Sequence, residues 1–346
     1  MGVRIALVVV LGMMFSAPAV VASSERPDLS GTYDVATLTP LRRPPAFGDN
    51  LYLTREQANE MAARDQARLD EDSLASDPNR EAPPEGGDGS AGAAGNVGGY
   101  NTFWIDNGDQ AFELDGKFRT SIITYPENGR PPGLTPAGQK TAAERANRRR
   151  ENTGTAWWLE EEGPGPYDHM ELRPLAERCL LGFGPVAGPP MVPTLYNNVK
   201  RIVQTDDHIM IMAEMVHDAR VIRMNAEHRP DGVRTWLGDS IGRWEGDTLV
   251  VETKNFKEQP ALYGASKNLH VTEWFKRIDE DTLHYRFEVN DPTVWKDVWR
   301  GDYPWPETKE KLFEYACHEG NYSFGNIMRG ARILEADVEG TGSAGE

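Results

Sequence analysis

Residues 209–224 read IMIMAEMVHDARVIRM. In a strand, successive side chains point to opposite faces. Taken as one strand, this run carries Ile209, Ile211, Ala213, Met215, His217, Ala219 and Val221 on one face. Met210, Met212, Glu214, Val216, Asp218, Arg220 and Ile222 lie on the other. His217 then stands alone in an apolar row, while Glu214, Asp218 and Arg220 share the opposite one. If the apolar row lines a barrel, His217 faces its cavity as a desolvated base. A bulge at His217 would turn Asp218 or Arg220 inward instead. The plain alternative is a hydrogen-bonded core histidine beside a surface ion network.

The same patterning continues outward from this run. Residues 201–204, 248–253, 269–278 and 283–289 alternate or run apolar, with turn signals at Asp206-Asp207, Glu245-Gly-Asp247 and Asp279-Glu-Asp281. Strand follows strand without a crossover helix, so antiparallel pairing is expected. Residues 311–317 read as a further strand and 322–334 as a closing helix. Upstream, residues 28–33 and 118–125 read as strands. Thr54-Arg-Glu-Gln57 forms a capping box that opens a helix to about residue 70. Thr135-Pro136 starts a second, polar helix to about residue 151. The expected fold is mainly β: an antiparallel lipocalin-like β-barrel, or a strongly curved meander, with a few peripheral helices.

Residues 1–22 carry one charge, Arg4, then an apolar run ending in Val20-Val21-Ala22, the pattern of a secretory signal peptide. The remaining chain divides into an N-terminal strand and helix (23–70), a low-complexity, flexible insertion (71–99), a core domain (100–337) and a disordered tail (338–346). The insertion is rich in Asp, Pro, Gly, Ala and Ser and cannot bury enough surface to fold by itself. A periplasmic or secreted location is expected, with no membrane span. Lys and Arg number 37 against 54 Asp and Glu, a net charge of −17. That balance argues against nucleic-acid partners, whose phosphates call for clustered cations. Two cysteines, Cys179 and Cys317, suit one disulfide in an oxidising compartment. A catalytic thiol at Cys317, beside His318, is the competing reading.

Several segments together carry a family likeness: Glu177-Arg-Cys-Leu180, Gly188-Pro-Pro-Met191, Tyr196-Asn-Asn198, EMVHDAR (214–220), Gly238-Asp-Ser240, RWEGDTLVV (243–251) and YACHEGNY (315–322). With DLSGTY near the N-terminus, RTSIITYPENGRPPGLTP and LHVTEWF, the chain resembles a family of exported bacterial proteins over nearly its whole length beyond the signal. The resemblance brings no catalytic residue with it. The strand pattern around WEGDTLVV is also similar, at the level of fold, to lipocalin-like (calycin) barrels, which decides no function.

Candidate chemistry spreads over four places. His217 is the candidate base, with Asp218 or Glu273 as its partner and Arg220 as an oxyanion stabiliser. Glu273 alternates with Leu269, Val271 and Phe275, so a carboxyl sits in an apolar row where burial raises its pKa. The alternative for Glu273 is an interior salt bridge with Arg220 or Arg243. His284 falls on the polar face of the next strand and reads as a surface residue. His318 and Tyr322 sit where a strand hands over to a helix and are read as the opposing acid. Asp239 reads first as a turn residue bonding nearby N–H groups, with a substrate-binding or catalytic carboxylate as the alternative. Trp104, Trp236, Trp244, Phe275 and Tyr285 are the expected apolar walls around a substrate. The GFGPVAGPP run (182–190) reads as a rigid loop over the cavity.

No cofactor is expected: GxGxxG after a strand and a P-loop are both missing. A metal held by His217, His228, His270 and His318 with Glu214 or Glu319 is the lesser alternative. These residues imply an enzyme acting on a small, largely apolar molecule by cofactor-independent acid/base chemistry, as a lyase, isomerase or hydrolase. A lipocalin-like binder, a metal-dependent enzyme and an envelope-assembly protein with a filled interior are the competing expectations.

Overall fold

A computed structural model describes residues 26–74, 79, 105–147, 154–182, 184–194, 196–258, 260–338 and 340. The signal-like segment, Trp104, most of the 71–99 insertion and most of the 338–346 tail lie outside these described residues. Three short strands, β2 (Tyr52–Leu53), β3 (Glu113–Leu114) and β4 (Lys117–Arg119), form a small sheet in the order β2-β4-β3. The main sheet begins with β1 (Gly31–Asp34), β5 (Ile123–Tyr125), β6 (Val199–Gln204), β7 (His208–Ala213) and β8 (Ala219–Met224). It is completed by β9 (Asp239–Glu245), β10 (Thr248–Lys254), β11 (His270–Arg277), β12 (Thr282–Asn290) and β13 (Trp299–Pro306). Its ten strands run in the order β1-β6-β7-β8-β9-β10-β11-β12-β13-β5 and curl into a half-barrel. The N-terminal strand therefore belongs to the core sheet.

Three helices lie at the periphery: α1 (Arg55–Asp72), α2 (Pro136–Asn147) and α3 (Tyr322–Val338). The capping box forms as expected, with Thr54 and Gln57 bonding each other's backbone N–H. No described helix is long and apolar enough to cross a membrane.

Period-two alternation places the core. In β12, Leu283, Tyr285, Phe287 and Val289 point inward, as do Val271, Glu273 and Phe275 of β11 and Trp299, Tyr303 and Trp305 of β13. Their rings pack in tilted and edge-on pairs, with Tyr285 and Trp305 centroids 4.8 Å apart and Phe275 and Tyr285 5.0 Å apart. Each such pair is worth about 0.5–1.5 kcal/mol beyond the area it buries. Gly301 fits between them because a Cβ there would stand 2.5 Å from Phe287. The concave side is thus packed with side chains.

The structure corrects four expectations. Residues 209–224 are two strands of a hairpin, β7 and β8, joined by a turn in which Val216 and His217 adopt positive φ of 58° and 45°. The turn is held from outside: the buried Glu214 carboxylate accepts from Asn197 Nδ2 and from Phe313 N–H at 3.2 Å. That reversal resets the faces, leaving His217 exposed and pointing Arg220 into the core. Secondly, β8 and β9 pair in parallel, Ile222 opposite Ser240, through a connection without a helix. Thirdly, residues 118–125 split into β4 and β5 in different sheets, and fourthly, residues 311–317 form no strand.

Candidate active site

The parallel pair explains where the site lies. Only Ile222, Arg223 and Met224 of β8 pair with β9, so the two strands part below Ile222. A cleft of about 700 Å³ opens there. Its walls are Ala219, Arg220, Val221 and Arg223 of β8, the turn residues Val216, His217 and Asp218, the Cys179–Leu181 segment, and residues 235–240 leading into β9. Leu180, Leu181, Val221, Trp236 and Leu237 give it an apolar side. Arg220, Ser240 and Asp218 give it a polar floor and flank.

Asp218 is half-buried, and its Oδ2 accepts the Gly182 N–H at 3.3 Å. Burial pushes its carboxyl up to about 6, against that N–H and the charges of His217 and Lys200. Beside it, His217 donates from Nδ1 to the Tyr315 carbonyl at 3.3 Å. A carbonyl can only accept, so Nδ1 carries the proton of this bond, and Nε2 has no hydrogen-bond partner among the described residues. Positive backbone φ at both Val216 and His217 aims this turn, and strain of this kind tends to gather at functional sites.

Below them Arg220 is almost wholly buried and forms a fork with Glu273: Nη1 lies 2.5 Å from Oε2 and Nη2 2.9 Å from Oε1. Tyr285 donates its hydroxyl to Glu273 Oε1 at 2.8 Å and accepts the Met191 N–H at 2.9 Å. On the cleft side, Arg220 Nη1 approaches Thr253 Oγ1 at 3.4 Å, and Thr253 bonds the Ser240 hydroxyl at 2.8 Å. A polar chain therefore runs from the cleft floor into the core. Glu273 adopts the interior salt bridge, with both oxygens occupied. The 184–191 segment of the Gly- and Pro-rich loop covers the curl interior, with Met191 O accepting from Tyr303 at 3.0 Å.

At the other end of the cleft, Asp239 is buried and receives Arg223 Nη2 at 3.0 Å on both oxygens, His228 Nδ1 at 3.0 Å and the Arg229 N–H at 2.9 Å. Burial alone would raise its carboxyl. The Arg229 N–H, His228 and Arg223 outweigh burial and hold it below the usual range.

The remaining sequence candidates fall elsewhere. Phe275 and Tyr285 are core residues, and Trp244 is half-buried against the same core. His284 is half-buried and bonds Asp302 at 2.9 Å. His318 is exposed, Tyr322 is 80% exposed at the start of α3, and neither joins the cleft wall. Cys179 and Cys317 form a disulfide with Cα atoms 5.7 Å apart, which ties the C-terminal segment to the cleft edge. Among the described residues no three His, Cys, Asp or Glu side chains converge as a metal site.

Three cationic residues escaped the sequence reading. Lys200 is fully buried, and burial lowers its ammonium to about 7 although Asp218 works to raise it; its Nζ donates to Val186 O at 2.8 Å. Its signal was there, since it shares a strand row with Ile202. Arg223 and Arg229 are brought to the cleft by the parallel β8–β9 pairing, for which the sequence held no signal. No protein-family model and no curated protein sequence matches this chain.

Proposed function

We propose that this chain is an exported enzyme that moves protons on a small, largely apolar molecule held in the β8–β9 cleft. The observation that carries this reading is the Asp218–His217 pair: a carboxyl raised to about 6 beside an imidazole with its Nε2 free, at one apolar-walled cleft. A carboxyl near 6 is populated in both protonation states around neutrality, the condition for an efficient general acid or base. His217 takes a proton from the bound molecule through Nε2, and Asp218 returns one to a neighbouring atom. Arg220, held by Glu273, polarises the Thr253–Ser240 hydroxyl pair at the floor where oxygen gains electron density. The reaction class is lyase, isomerase or hydrolase, without an organic cofactor. The disulfide supports export, since such bonds persist in oxidising compartments. The curl, with Tyr33 of β1 bridged to Glu307 just past β13, supports reading the sheet as a lipocalin-like barrel.

The test is conversion. Wild type, His217→Gln and Asp218→Asn are incubated with a panel of small apolar acids, esters, amides and glycosides and followed by mass spectrometry. The proposal expects wild type to consume a compound that both variants bind and leave unchanged. If all three bind the same compounds and none converts any, the chain is a binder and the enzyme reading fails.

A further inference from the structure

Asp239 sits between two guanidinium groups and holds them unequally. Arg223 takes both its oxygens at 3.0 Å, whereas Arg229 Nε stands 3.7 Å away. The Arg229 backbone is pinned at both ends: its N–H bonds Asp239 at 2.9 Å, and its carbonyl accepts from Asn255 at 2.9 Å. Its side chain is half exposed, and its terminal nitrogens have no acceptor among the described residues. An anchored residue, paired only loosely through Nε, thus presents its two terminal nitrogens to the cleft in a chain whose net charge is −17. Arg220, the third arginine of the wall, is already matched by Glu273. The excess positive charge therefore gathers at the Arg223–Arg229 end, next to Leu237 and to Trp236, whose ring also has the Lys257 ammonium 4.4 Å from its centroid.

We infer that the cleft takes a carboxylate: a small molecule whose anionic group docks on Arg229 and Arg223 while its apolar body lies along Trp236, Leu237 and Val221. A guanidinium matches a carboxylate in a two-pronged geometry that an amide or alcohol cannot reproduce. This names the substrate class of the proposed enzyme and rests on that reading for the chemistry, not for the binding.

Calorimetric titration tests it with phenylacetate, indole-3-acetate and octanoate against their matched primary amides, on wild type and Arg229→Gln. Melting temperature confirms that the variant folds. At least one carboxylate is expected to bind about tenfold or more tightly than its amide, as charge-assisted hydrogen bonds do. Arg229→Gln should erase that preference and leave amide affinity nearly unchanged. Equal binding of acid and amide, a preference that survives in Arg229→Gln, or no binding of any of the three acids at millimolar concentration overturns the inference. Acids that bind through Arg229 but are never converted would leave this inference standing and sink the enzyme reading. Conversion of amides that bind as well as acids would do the reverse.

Discussion

Arg220 and Glu273 meet inside the sheet as a two-pronged ion pair, 2% and 0% exposed, with Tyr285 completing the carboxylate's hydrogen bonds. It ties β8 to β11 across the curl, past the β9 and β10 strands that separate them in the sheet, and it holds the cleft floor to the core. Removing one partner strands a buried charge, at a cost of about 3–5 kcal/mol. Glu273→Leu and Arg220→Met should each lose that much in urea unfolding, and the double variant should recover most of it. Single variants within about 1 kcal/mol of wild type would show that the pair does not hold the fold.

Asp218 should trade stability for its chemistry. Its folded pKa of about 6 lies above the ordinary 3.8, so the fold favours the protonated form. The ionised carboxyl therefore weakens the fold above pH 6, and this penalty fades as pH falls from about 6 to below 3.8. Asp218→Asn should stabilise the protein at pH 8 by about 1–2 kcal/mol, allowing for solvent screening at a half-buried site. The gain should vanish near pH 3.5, about where both states hold the proton. A gain that does not change with pH would contradict burial as the cause.

His217 is exposed but held at positive φ. His217→Gly removes the Cβ that strains this conformation, a relief of up to about 1 kcal/mol. Unfolding free energy should be unchanged or higher while conversion is lost. A clear loss of stability would assign the residue to the scaffold.

The Cys179–Cys317 disulfide closes a loop across 138 residues. Cys179→Ser with Cys317→Ser should lower stability by about 2–4 kcal/mol. Hydrogen exchange should rise first in residues 311–338, since β9 to β13 hold together through their own ladder. Uniform loosening of the whole sheet would show that the bond supports more than the C-terminal segment.

The sheet itself was legible in the sequence wherever one face is buried. Residues 269–278 and 283–289 announce β11 and β12 because period-two alternation and flanking acidic turns agree. The 209–224 run misled because the turn at Val216 and His217 uses no Gly, Pro or Asn. It is held through Glu214 by Asn197 and Phe313, which are distant in sequence. Each row assigned from His217 onward was therefore reversed, which is how Arg220 moved from a surface network to the core. Glu273 was legible as a carboxyl in an apolar row, and its salt bridge to Arg220 was one of the two partners considered. The cleft was not legible as a place, since it comes from the parallel β8–β9 pairing. Several of its residues, among them His217, Asp218, Trp236 and Asp239, were nonetheless singled out by type.

The account rests on Asp218 holding a proton near neutrality. Carbon-13 NMR titration of its side-chain carboxyl, assigned against Asp218→Asn, measures this without a substrate. A midpoint near 6 is the predicted result. A midpoint near 3.8 would mean that the carboxyl is an ordinary solvated acid, and the acid/base reading of the cleft would fall with it.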